Sequence, residues 1–128
     1  PSFDYEGADM IDLPSVRRIF IYPGYTDMRC GIRSLSVKVA CGFPGEDLVG
    51  CLFLFCGHNR KSMKALEFAK DGTWLYQKVF RNGRFRWPRP DEDGKVPEIT
   101  ERQIRWLLDG LEIVQRKAST ESKPAVLF

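Results

Sequence analysis

Any chemistry in this chain must come from four cysteines (Cys30, Cys41, Cys51, Cys56), one histidine (His58), scattered carboxylates and one dense run of cations. The cysteines stand 11, 10 and 5 residues apart with no CxxC pair, so a zinc site would lack the paired ligands such sites normally use. They read as small core residues whose thiols stay reduced. Cys56 and His58 would share one face of a strand, a coincidence of alternation rather than an activated nucleophile. Asp27, Glu67, Asp71 and Asp91 are of the type that two-metal nucleases use. Position gives three of them plainer work: Asp27 in a helix's first turn, Asp71 in a hairpin turn and Asp91 in a loop. The chain has no GxSxG, GxxxxGK or GxGxxG. The reading is a protein that is not an enzyme and holds no metal and no cofactor, with a nuclease the third choice.

The cations are the stronger signal. Arg60, Lys61, Lys64, Lys70, Lys78, Arg81, Arg84, Arg86 and Arg89 fall between Gly57 and Arg89, opposed only by Glu67 and Asp71, a local charge of +7 in a chain whose total is +3. Acid collects elsewhere, at Asp4, Glu6, Asp9 and Asp12 and again at Asp91, Glu92 and Asp93. Such asymmetry points to a polyanionic partner, or to an internal match between the two poles.

Elements must present these side chains. Val16 to Tyr22 is branched and aromatic and ends at Pro23-Gly24, a strand entering a turn. Thr26 reads as a helix N-cap with Asp27 behind it, and Met28, Ile32, Leu35 and Val39 form one helical stripe ended by Gly42 and Pro44. Leu48 to Cys56 reads as a buried strand. Asp71-Gly72 and Asn82-Gly83 are both two-residue hairpin signals, predicting three antiparallel strands between Ser62 and Trp87. In that register Lys70 pairs with Thr73, Ala69 with Trp74, Arg81 with Arg84 and Phe80 with Phe85.

Alternation then sorts the meander into two faces. Ala65, Ala69, Trp74, Tyr76, Phe80, Phe85 and Trp87 form the expected core face, where Lys78 meets Glu67 diagonally. Lys64, Lys70, Arg81, Arg84 and Arg86 share the other face with Leu66, Phe68, Leu75 and Val79. Arg81 opposite Arg84 is unfavourable alone, since like charges across a ladder repel. An anion, solvent or a folded-back Asp91–Asp93 loop must relieve it. Thr100 with Gln103 is a capping box ahead of the stripe Ile104, Leu107, Leu108 and Leu111, with Gly110 as an end or a weak point.

At 128 residues, 43% hydrophobic and 29% charged, the chain has the size and composition of one soluble domain. Neither a membrane span nor a basic-then-apolar leader is visible, which implies a cytoplasmic protein with no membrane partner. The expected fold is α+β: a single domain with an antiparallel β-meander sheet, an N-terminal strand–helix unit and a C-terminal helix packed on it. The expected divisions are an acidic segment over 1–15, the domain over 16–116 and a tail over 117–128.

Several stretches resemble one known family. Gly24-Tyr25-Thr26-Asp27-Met28-Arg29-Cys30-Gly31-Ile32 is similar to the "G-x-T-D-M-R-x-G-I" signature of the TnpB-type accessory proteins of insertion-sequence-66 transposons, products of the element's second open reading frame. Leu52-Phe53-Leu54-Phe55 with Gly57, Lys64 with Leu66, Asp71-Gly72 with Trp74-Leu75, Gly83-Arg84-Phe85-Arg86-Trp87-Pro88 and Leu107-Leu108-Asp109-Gly110-Leu111 resemble later family motifs in the family's order. Arg81 stands where the family usually has Glu.

The resemblance implies an accessory factor for DNA transposition, working beside a separate catalytic transposase and other element-encoded proteins, with no small-molecule substrate. The residues add a physical reading. Arg84, Arg86, Lys64, Lys70 and Arg81 would lie along the phosphates of transposon-end DNA. Arg29 joins them as a phosphate contact, or else forms an ion pair with Asp27. The second reading is a protein–protein adaptor for the transposase, favoured if Leu66, Phe68, Leu75 and Val79 are exposed; a helix covering them favours DNA.

Overall fold

The computed structural model describes residues 11–114. The acidic residues of 1–10 and the tail over 117–128 lie outside the described residues.

Cys51–Cys56 is apolar at every position and becomes β2, buried along its whole length. Such a run fits only a strand covered on both faces. The flanking strands are β1 (Arg18–Ile21), β3 (Ser62–Ala69), β4 (Gly72–Val79) and the short β5 (Glu98–Ile99). They form one sheet in the order β4-β3-β2-β1-β5. β1 and β2 are parallel, joined through α1 (Ile32–Gly42), and all other pairs are antiparallel. The expected α+β class is the one found, with the meander running β2-β3-β4.

Each face of the sheet carries its own core. Ile19, Ile21, Leu52, Leu54, Cys56, Met63 and Ala65 pack against Ile104, Leu107 and Leu108 of α2 (Glu101–Leu108) and against Phe85 and Trp87. On the other face Phe20, Tyr22, Phe53, Phe55 and Leu66 pack against Leu35 and Val39 of α1. Phe20 stacks on Phe53 at 5.2 Å between ring centroids and Tyr22 on Phe55 at 4.7 Å, which ties the parallel pair together. Packing begins before Val16, because Ile11 and Leu13 are already buried beside a short 3-10 turn, Leu13–Ser15.

Three expectations need correction. First, Thr26 caps no helix. Asp27 Oδ1 accepts the backbone N–H of Arg29 at 2.9 Å, closing a local turn, and α1 starts five residues later behind Gly31. Ile32 is consequently exposed while Leu35 and Val39 are buried. Second, the β3–β4 turn is centred on Lys70-Asp71, so Ala69 faces Gly72 and Glu67 faces Trp74. This is a slip of two residues from the expected register, and an even slip leaves every side chain on its expected face. Third, no strand forms beyond Val79. Phe80 N–H donates to Lys61 O at 2.8 Å and Phe85 N–H to Arg60 O at 2.7 Å. The Asn82-Gly83 segment is thus bonded to the β2–β3 loop, and Arg81 does not sit opposite Arg84 on a ladder. Phe80 and Phe85 still meet, with ring centroids 4.3 Å apart.

The capping box forms as written: Thr100 Oγ1 accepts from Gln103 N at 3.1 Å, and Gln103 Oε1 from Thr100 N at 2.9 Å. Gly110, at φ +81°, lies just past the end of α2. Thr100→Ala should lower the unfolding free energy by about 1 kcal/mol, read from a shift of the urea midpoint at constant slope. No helix among the described residues is long and apolar enough to cross a membrane.

Candidate functional site

The basic residues do not share a face of the sheet; most share one end of it. β2 ends at Cys56, β3 begins at Ser62 and β4 ends at Val79, so the 57–61 loop and the segment following β4 emerge together. The bonds from Phe80 to Lys61 and from Phe85 to Arg60 lock them side by side. These two segments bring Arg60, Lys61, Arg81, Arg84, Arg86 and Arg89 to this end, and neither 57–61 nor 80–89 contains a carboxylate.

Local structure holds the cluster in place. Arg60 adopts φ +63°, the only non-glycine residue with positive φ among the described residues. This left-handed turn is sparsely populated for a side-chain-bearing residue, and tertiary bonds enforce it: Arg60 N donates to Gly57 O at 2.9 Å while Arg60 O accepts from Phe85. Arg84 Nε donates to Asn59 O at 3.2 Å across the two segments. Arg60 and Arg86 line one open cleft of about 370 Å³, together with Trp87, Pro88 and Glu112. Arg86 is 3.8 Å from Glu112. Beneath the arginines Phe85 is fully buried, and Trp87 Nε1 donates to Tyr22 O at 2.8 Å.

The acidic loop does not fold back on this cluster. Asp91 Oδ1 accepts from the backbone N–H of Lys95 at 3.2 Å, and Asp93 lies 4.0 Å from Lys95 Nζ. What the end of the sheet offers chemically is a set of exposed guanidinium and ammonium groups on a rigid base, suited to several phosphates rather than to bond-making. Among the described residues there is no group of three or more His, Cys, Asp or Glu side chains that could hold a metal ion. Cys51 and Cys56 are buried, and burial pushes the Cys56 thiol up to about 12, which makes it a poor nucleophile.

The six expected contact residues therefore part company. Arg81, Arg84 and Arg86 are together. Lys64 is not on a solvent face: it is 9% exposed, and its Nζ donates to Met28 O and Cys30 O, both at 2.8 Å, fastening the loop before α1 to the sheet. Lys70 is exposed but sits in the β3–β4 turn, at the far end of the eight-residue β4 from Arg81, about 25 Å away at the rise of a strand. Arg29 pairs with Asp27 at 2.8 Å, and this guanidinium holds the Asp27 carboxyl down at about 2. A phosphate approaching Arg29 would meet that carboxylate too. Lys78 donates to Leu108 O at 3.0 Å, securing the C-terminus of α2, and Glu67 accepts from Tyr76 instead.

Arg60, Lys61 and Arg89 were missed by a reading confined to strand faces. The signal was present in the charge run itself, which already placed them among the nine cations. The expected basic face is a second core face: Leu66 is fully buried, and Phe68 and Leu75 are partly buried against the α1 layer.

The family model described as "IS66 Orf2 like protein" matches residues 17–118. An uncharacterized protein, y4hO, from Sinorhizobium fredii is 35% identical over 95 residues, covering 74% of this chain and 81% of that protein. No solved structure matches the chain.

Proposed function

Starting from a chain that belongs to the IS66 Orf2-like family, we propose that it is a non-catalytic accessory protein of transposition that holds the DNA of the element's ends by their phosphates. The family supports the transposition role. The observation that carries the DNA reading is the convergence of two carboxylate-free segments, with six cations between them, on one end of the sheet. Arg and Lys in such a cluster supply affinity through counterion release, largely without regard to base sequence. Coverage of Leu66, Phe68 and Leu75 by the α1 layer favours this reading over the adaptor.

Fluorescence anisotropy with duplex DNA across a salt titration tests the reading. Six phosphate contacts would give log K against log salt a slope of about −5. Arg84→Glu with Arg86→Glu should abolish binding at physiological salt with an unchanged melting temperature. Lys70→Glu, at the other end of the sheet, should bind like the parent. A folded double mutant that binds as well as the parent would remove the cationic end as the interface.

The adaptor reading keeps one observation in its favour. β4 is an edge strand that carries an exposed Trp74 (59%) and Val79 (50%), and exposed edges are templates for strand addition by a partner. If duplex DNA is not bound even at low salt, co-purification with the transposase, lost on Trp74→Glu, is the outcome this reading expects.

A further inference from the structure

Tyr25 and His58 stand in the cationic end without a role in either core. Tyr25 is 50% exposed although the chain around it is held firmly: Gly24 N donates to Pro88 O at 2.9 Å and Thr26 N to Cys56 O at 2.8 Å. Those two anchors are the segment that carries Arg86 and Arg89 and the end of the strand that leads into the Arg60 loop. Gly24 permits the arrangement. Its φ is +78°, and a Cβ there would meet the Pro90 ring at 3.3 Å. The Tyr25 ring rests edge-on against the exposed ring of His58, centroids 5.4 Å apart and planes at 84°. An aromatic ring with so little burial contributes little to stability, yet here its backbone is fixed on both sides and its ring is buttressed by a second.

We infer that Tyr25, braced by His58, is a stacking platform for an unpaired DNA base, with the surrounding arginines holding the phosphates on either side of it. The inference rests on the cationic-end reading above and adds the class of DNA: single-stranded or frayed rather than fully paired. A flat ring between cationic segments is how proteins hold single strands with little sequence preference, since every base has a face to stack and every nucleotide a phosphate to pair. In a closed duplex the base faces are already stacked on one another, so Tyr25 has nothing to gain there.

The test compares a short oligothymidylate with a duplex of the same length, by anisotropy at one salt concentration, for the whole chain and its variants. Tyr25→Ala should weaken single-strand binding about 5- to 100-fold and leave duplex binding within a factor of two. Tyr25→Phe should restore the single-strand affinity. Melting temperatures of both variants should match the parent, because the ring is half exposed. Equal losses on both DNAs, or no loss on the single strand, would overturn the platform. A parent protein that binds the duplex but not the oligothymidylate would overturn it while leaving the cationic end intact. Binding to neither would remove both.

Discussion

Phe85→Ala should cost about 3–5 kcal/mol of stability, the range for deleting a fully buried aromatic ring, out of the roughly 5–15 kcal/mol that holds a typical domain folded. No hydrogen-bonded ladder supports the chain around Phe85, so its ring is what fastens the segment after β4. The ring is completely buried beneath the sheet, within contact of Phe80 at 4.3 Å and edge-on to Trp87 at 6.3 Å. The same core contains Ile104 and Leu107 of α2, so the void left by alanine would open between the helix and the sheet. Urea denaturation should show the midpoint falling steeply. A loss below about 1 kcal/mol would mean that the segment does not seal this core. Because Phe85 N also donates to Arg60 O, the variant should lose DNA affinity as well, through arginines that are displaced rather than removed.

Lys64→Met is the second large effect, and it separates a structural lysine from a ligand-binding one. Lys64 runs from β3 to the 26–31 loop, where its ammonium satisfies the carbonyls of Met28 and Cys30. Hydrogen bonds to a charged donor are worth about 1.5–3 kcal/mol each. Methionine matches the length of the stem and removes the cost of burying a charge, which offsets part of the loss. The expected net destabilisation is about 2–4 kcal/mol, read by urea denaturation. Affinity of the folded protein for duplex DNA should be unchanged, since a buried ammonium bonded to two carbonyls has nothing left for a phosphate. A variant as stable as the parent but deficient in DNA binding would return Lys64 to the interface.

Much of the architecture could be read from local pattern. The continuous apolar run of β2, the Thr100–Gln103 capping box and the Asp71-Gly72 hairpin signal each encode their structure within a few residues, and each element formed. The failures share a cause. Thr26 has the chemistry of an N-cap, but Asp27 spends its carboxylate on Arg29, and the helix begins only past Gly31. Asn82-Gly83 has the chemistry of a hairpin, but the following chain gains more by burying Phe85 and Trp87 and bonding to a loop some 20 residues earlier. That competition is non-local, and no window of sequence contains both contestants.

The same limit explains what was seen of the site. The charge run announced the cations, and Arg81, Arg84 and Arg86 remain in the cluster. Their grouping with Lys64 and Lys70 came from treating the residues after Val79 as a strand. With that strand absent, proximity follows from which loops leave the same end of the sheet, and this brings in Arg60, Lys61 and Arg89 and excludes Lys70.

β1 has β2 on one side, reached through α1, and β5 on the other, where Ile19 faces Ile99 and Arg18 bonds Glu98 across 80 residues of chain. Closing so long a loop is entropically slow, whereas the β2–β3–β4 meander needs only neighbouring residues. During synthesis the meander can form early, but Ile19 and Ile21 have no cover until α2 has left the ribosome. A nascent chain halted before residue 100 would carry an unsealed apolar sheet, a species prone to stick to others of its kind. Complete translation is thus a condition for a soluble product, and a frame interrupted downstream of the cationic cluster would make a protein that has every arginine and no stable platform to hold them.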